Sequence, residues 1–111
     1  MIEKLFVYGT LGLGRPNEHI LNNIGGTWEV ATVTGNLKDE GWGSEMGYPA
    51  ICLDDNGEEV EGFIFSSNNL SNNWDKLDKF EGEAYHRVST NAKLKNKNMT
   101  EVYIYTLRSK D

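Results

Sequence analysis

One stretch of this chain repeats its apolar residues with the period of a helix, and that stretch ends on a carboxylate. Leu70, Trp74, Leu77 and Glu81 fall at i, i+4, i+7 and i+11, which places them on one helical face. Asp75, Lys76, Asp78 and Lys79 take the remaining positions, where charge meets water. The spacing predicts one substantial helix over 70–80, with Gly82 as its stop. Glu81 then continues the apolar stripe in the last turn. A carboxylate in that place is partly dehydrated, and the negative end of the helix dipole disfavours its ionised form. Both effects raise its pKa toward the range useful for moving protons near neutrality. The competing reading of the same spacing is a frayed last turn from which Glu81 reaches water. Glu61 and Glu83 are rival acids, but each adjoins a glycine and lies off the helical stripe.

The rest of the chain is mostly short β-type runs broken by turn residues. Residues 4–8 read as a strand stopped by Gly9. Gly9, Gly12 and Gly14 make a loop that Arg15-Pro16-Asn17 closes. Asn17 is expected to cap a short helix that carries Ile20, Leu21 and Ile24 inward and ends at Gly25-Gly26. Residues 28–37 read as a strand with Gly35 as a bulge, and 39–47 as an irregular loop. Tyr48 to Leu53 reads as a strand whose Pro49 marks its start or an edge. Asn56-Gly57 predicts a hairpin into a strand over 60–65. Strands over 85–94 and 100–107 are joined by the polar tip Lys95-Asn96-Lys97-Asn98. Several strands and two helices, mostly in hairpins, indicate an α+β fold with a curved sheet or partial barrel. At 111 residues the expectation is a single domain over 1–111.

The formal charge of −6 without a Lys/Arg cluster argues against a nucleic-acid footprint. Cys52 is the only cysteine, so an intrachain disulfide and a Cys-based metal cluster are excluded. His19 and His86 have no second ligand at metal spacing. No segment approaches the roughly 20 apolar residues of a membrane span. Met1-Ile2-Glu3-Lys4 enters a strand directly without a signal-peptide pattern, so the expected location is cytoplasmic.

Gly9-Thr10-Leu11-Gly12-Leu13-Gly14 does not have the G-x-G-x-x-G spacing, and no G-K-[ST] follows for a phosphate. A nest of successive N–H groups after strand one would hold a carboxylate without side-chain charge. The other reading is a tight turn whose glycines supply positive φ.

Taken together, Phe6-Val7-Tyr8-Gly9-Thr10-Leu11, Gly14-Arg15-Pro16-Asn17, Tyr48-Pro49-Ala50-Ile51, Val60-Glu61-Gly62 and Leu77-Asp78-Lys79-Phe80-Glu81-Gly82 with Tyr85 and Arg87 resemble the γ-glutamylcyclotransferase-like superfamily. The resemblance is to its AIG2-like and γ-glutamylamine cyclotransferase branch. It implies a small mixed β-barrel flanked by helices, with a cavity where the Tyr8–Leu11 loop meets Glu81. It further implies Glu81 as catalytic acid/base, the main chain of Tyr8, Gly9, Thr10 and Leu11 against the glutamyl group, and Tyr85 and Arg87 shaping the cavity. Arg87 is open to two uses, as an ion-pair partner or as a substrate contact. The reaction implied converts a γ-glutamyl compound to 5-oxoproline and an amine or amino acid, with neither metal nor cofactor. The implied partner is a small γ-glutamyl substrate, with no nucleic acid and no membrane; oligomeric state is not encoded legibly. Two departures stand out. Gly12-Leu13 replaces the basic residue that many relatives carry after Y-G-T-L, and the stretch from Glu81 to Tyr85 lacks a proline-containing insert. The alternative is a noncatalytic domain that keeps the pocket for a small acidic ligand, and a third reading is an interaction protein using the Trp42 loop.

Overall fold

A computed structural model describes residues 2–38 and 50–107. The expected loop over 39–47 with Trp42, and Tyr48 and Pro49, lie outside the described residues.

The strands are β1 (Glu3–Val7), β2 (Thr27–Lys38), β3 (Ala50–Leu53), β4 (Glu58–Ser67), β5 (Tyr85–Leu94) and β6 (Met99–Leu107). They pair in the order β3-β2-β4-β1-β6-β5, and β5 returns to β2. The strands β2-β4-β1-β6-β5 thus close a barrel, with β3 attached to β2 beside the seam. β1 and β6 run parallel while the other neighbours are antiparallel, so the barrel is mixed. The seam is short, formed by Ala31 opposite Leu94 and Thr32 opposite Lys93.

Alternation along the strands divides the core in two. Phe6, Ala31, Val33, Ile64, Val102 and Ile104 form a cluster drawn from strands alone, which fills the barrel. Leu5, Val7, Phe65 and Tyr105 point the other way and pack with Leu21, Leu70, Trp74 and Leu77 from the helical segments. The helical stripe read from the sequence therefore covers the outer wall of the barrel.

Four local expectations are corrected. The predicted helix over 70–80 is two pieces, a 3₁₀ turn at Leu70–Asn72 and α2 at Trp74–Glu81, separated by Asn73 with φ −124°. Leu70, Trp74 and Leu77 are still all buried, because the tighter turn resets the phase without moving the stripe off its face. Asn17 precedes α1 (Glu18–Ile24) but makes no side-chain cap; Glu18 instead accepts the Gly14 N–H at 2.6 Å, which suits a carboxylate at a helix start.

The third correction concerns 54–57. β3 and β4 do not pair as a hairpin; they lie on opposite edges of β2, each antiparallel to it. The chain crosses β2 at Gly35, which is opposite both Leu53 and Glu58. A Cβ at Gly35 would sit 2.7 Å from the Cys52 carbonyl oxygen, and one at Gly57 would sit 2.6 Å from the Gly35 oxygen. Gly35 thus marks a close backbone crossing in an uninterrupted ladder, not a bulge.

Candidate functional site

β1 ends where Gly9 begins, and the turn that follows is tied to itself and to α1. Gly12 N–H donates to Gly9 O at 3.1 Å, Arg15 N–H to Gly12 O at 3.1 Å, and Asn17 N–H to Thr10 O at 2.8 Å. Among the described residues, the amides of Gly9, Thr10 and Leu11 make no turn or loop bond to a main-chain carbonyl. Of this turn's glycines, Gly14 has positive φ (73°), which accounts for one glycine but not for Gly9 or Gly12. A Cβ at Gly9 would meet nothing within 4 Å; its bare main chain lines a cavity of about 260 Å³ with Tyr8, Gly12 and Arg15. Thr10 and Leu11 are buried, and Leu11 packs in the cluster that also holds Tyr85 and Tyr105.

Tyr8 turns inward at the end of the barrel. Its hydroxyl donates to the Tyr105 carbonyl at 2.8 Å and accepts the Ile51 N–H at 3.0 Å, joining the ends of β1, β6 and β3. Burial pushes its phenol far above the ordinary value, and the Ile51 bond opposes that only in part. Tyr8 is therefore a neutral, doubly engaged hydroxyl at any physiological pH.

Glu81 is the last residue of α2 and is half-buried. Gly82 stops the helix with φ 88°, and its N–H bonds to Asp78 O at 3.1 Å. Loss of water around the carboxyl raises the Glu81 pKa from 4.5 to about 7. The negative charge of Glu81 in turn contributes to the raised pKa values of Tyr8, Tyr85 and Tyr105, behind burial as the leading cause in each. Those couplings set one carboxylate within electrostatic reach of three phenols, Tyr8 just after β1, Tyr85 of β5 and Tyr105 of β6. Tyr85 and Tyr105 also line a wider cavity of about 560 Å³ with Gly82, His86 and Arg87.

Arg87 is an ion-pair partner: its Nε lies 3.2 Å from Asp78 Oδ1, and its guanidinium lies over the Trp74 ring at 4.2 Å. Among the described residues no group of three His, Cys, Asp or Glu side chains is arranged to hold a metal ion. No helix of the described residues is long and apolar enough to cross a membrane.

The model of the γ-glutamyl cyclotransferase, AIG2-like family matches residues 5–111. The chain belongs to this family. Among solved structures, YkqA from Bacillus subtilis is 26% identical with a TM-score of 0.74, over 97% of this chain and 36% of that one. The present chain thus spans about a third of the length of YkqA. An AIG2-like protein from Mus musculus is 19% identical with a TM-score of 0.73, covering 99% of this chain and 80% of that one. A protein solved as "Gamma-glutamyl cyclotransferase" is 17% identical with a TM-score of 0.72, over 100% of this chain and 69% of its own. At these identities the last two share the cyclotransferase-family fold. No curated protein matches the sequence significantly.

Within this family's barrel the Glu81 charge acts on both Tyr8 and Tyr85. Among the described residues, the cavity at the Gly9 turn and the one at Tyr85 and Arg87 share no lining residue, and Glu81 lines neither. Arg87 stands beside Asp78, one turn back along α2. Sequence reasoning passed over Asp78 and Tyr105. Asp78 looks like a surface charge by period alone; the signal for it was Arg87 at the start of the next strand, in easy reach of α2.

Proposed function

We propose that the chain is a γ-glutamyl cyclotransferase, with Glu81 as the group that takes and returns the proton. The observation that supports this most is a half-dehydrated carboxyl with a pKa of about 7 whose charge acts on Tyr8, the residue at the head of the glycine turn. Near neutrality such a group holds its proton about half the time, which suits both directions of transfer.

In the reaction Glu81 carboxylate removes a proton from the substrate's α-ammonium group. The freed amine nitrogen attacks the γ-carbonyl carbon of the same molecule; a C–N bond forms and the carbonyl oxygen becomes an oxyanion. The Gly9–Leu11 amides hold that oxyanion or the α-carboxylate. As the oxyanion collapses, the bond to the leaving nitrogen breaks, Glu81 returns its proton to that nitrogen, and the ring nitrogen sheds its second proton to solvent to become the neutral lactam N–H. The products are 5-oxoproline and an amine or amino acid. Because the attack is intramolecular, positioning supplies much of the acceleration.

This reading treats 1–111 as one domain and sets it in the cytoplasm, in keeping with the single free Cys52. A panel of γ-glutamyl amines, amino acids and isopeptide fragments is expected to yield 5-oxoproline, and Glu81→Gln to abolish the yield with folding intact. A folded Glu81→Gln protein that cyclises at the wild-type rate removes Glu81 from the mechanism. Binding of a glutamyl compound without turnover would make the chain a binding domain instead.

A further inference from the structure

Asp78 lies one helical turn before Glu81. Its Oδ1 accepts the Tyr105 hydroxyl at 2.6 Å and the Arg87 Nε–H at 3.2 Å, while Oδ2 faces Arg87 Nη2 at 3.5 Å. The Arg87 guanidinium sits over Trp74 at 4.2 Å and near the Tyr103 ring at 5.4 Å. Trp74 and Asp78 are four residues apart on α2, so one helix face grips an arginine of β5 with a ring and an acid. Tyr105 carries the connection onward, because its carbonyl accepts the Tyr8 hydroxyl at 2.8 Å. One unbroken set of bonds therefore runs from the turn before Glu81, through β6, to the residue that opens the glycine turn.

Stability alone is a poor reason for such a set. The Asp78 side chain is 43% exposed, and ion pairs at exposed sites contribute little. Apolar residues of similar volume hold two elements together at least as well. What a planar guanidinium and a directed phenol bond add is fixed geometry.

Resting on the reading of Glu81 as the acid/base, we propose that Asp78 and Tyr105 are positioning residues that hold the last turn of α2 at a set distance from the Tyr8–Leu11 turn. Among the described residues, the ionisable groups on which the Glu81 charge acts include Tyr8 just after β1, Tyr85 of β5 and Tyr105 of β6. All three are neutral phenols near pH 7, and Asp78 with its Arg87 partner lies one turn away. Burial is what raises the Glu81 pKa, so loosening the clamp acts on it by admitting water.

The test uses the full chain with Tyr105→Phe, Asp78→Ala and Asp78→Asn, each first checked for a native fold by circular dichroism and thermal unfolding. The Glu81 carboxyl is then titrated by carbon-13 NMR, and kcat and KM are measured on a γ-glutamyl compound that the wild type turns over. In Tyr105→Phe and Asp78→Ala the midpoint is expected to fall from about 7 toward 4.5. With it kcat drops roughly 10- to 100-fold, and KM changes less than about threefold. Asp78→Asn keeps an oxygen for the Tyr105 hydroxyl and is expected to retain more activity and a higher midpoint than Asp78→Ala. A folded Tyr105→Phe protein whose Glu81 still titrates at about 7 overturns the inference. Failure of the wild type on every γ-glutamyl compound sinks the proposed function instead, and the titration still decides the clamp.

Discussion

Replacing Glu81 with glutamine should make the protein more stable at alkaline pH and change little in acid. Burial raises the Glu81 pKa from 4.5 to about 7, so the folded chain holds this proton more tightly than the unfolded chain does. The sign follows from linkage: the stabilisation is complete below the unfolded value of 4.5 and is lost as pH rises through 7. At about 1.4 kcal/mol for each pH unit of displacement, keeping the ionised carboxyl in place costs the fold about 3 kcal/mol by pH 8. Glutamine has nearly the same shape and no charge, so it escapes that cost. Thermal unfolding of both proteins from pH 4.5 to pH 8.5 reads the difference directly. The two curves should separate across the interval between 4.5 and 7, the variant gaining roughly 10 °C at the upper end. A separation that stays flat over this whole range would mean that Glu81 is as hydrated in the fold as in the unfolded chain, and the dehydration argument would fail.

Three further outcomes follow from the geometry. Tyr8→Phe strands the Tyr105 carbonyl and the Ile51 N–H, and should cost about 1–3 kcal/mol in denaturant unfolding; an unchanged midpoint would mean that water replaces both bonds freely. Leu77→Ala removes a side chain with 0% exposure from beneath α2, with an expected loss of about 2–5 kcal/mol in the same assay. If the wild type cyclises γ-glutamyl compounds, the acid limb of its kcat/KM profile should have a midpoint near 7, as the raised Glu81 pKa requires; a midpoint near 4.5 would assign that limb to another carboxyl.

The parts of the fold legible in the sequence are those set by local chemistry. The stripe from Leu70 to Leu77 and the stop at Gly82 follow from side-chain period and from a glycine free to take φ 88°. The strand positions follow from β-branched and aromatic runs. Gly35 and Gly57 were not legible in the same way. Each looks like an ordinary turn or bulge residue, and only the pairing of β2 with strands on both edges shows that one backbone passes against the other there. The site divides along the same line. Glu81 was visible because a carboxylate interrupts an apolar period. Asp78 was hidden because it obeys that period, and its partner Tyr105 comes from β6, beyond any local window.

The barrel's closure has its own consequence. One carboxylate, Glu59 of β4, takes both the Thr32 hydroxyl at 3.1 Å and the Lys93 ammonium at 2.5 Å, and those two residues face each other across the seam. All of this stitching is on the wet side of the wall, where dissolved ions compete with it. Breathing of the cylinder should therefore begin along β2 and β5, and deuterium should enter the amides of residues 31–32 and 93–94 sooner in brine than in dilute buffer.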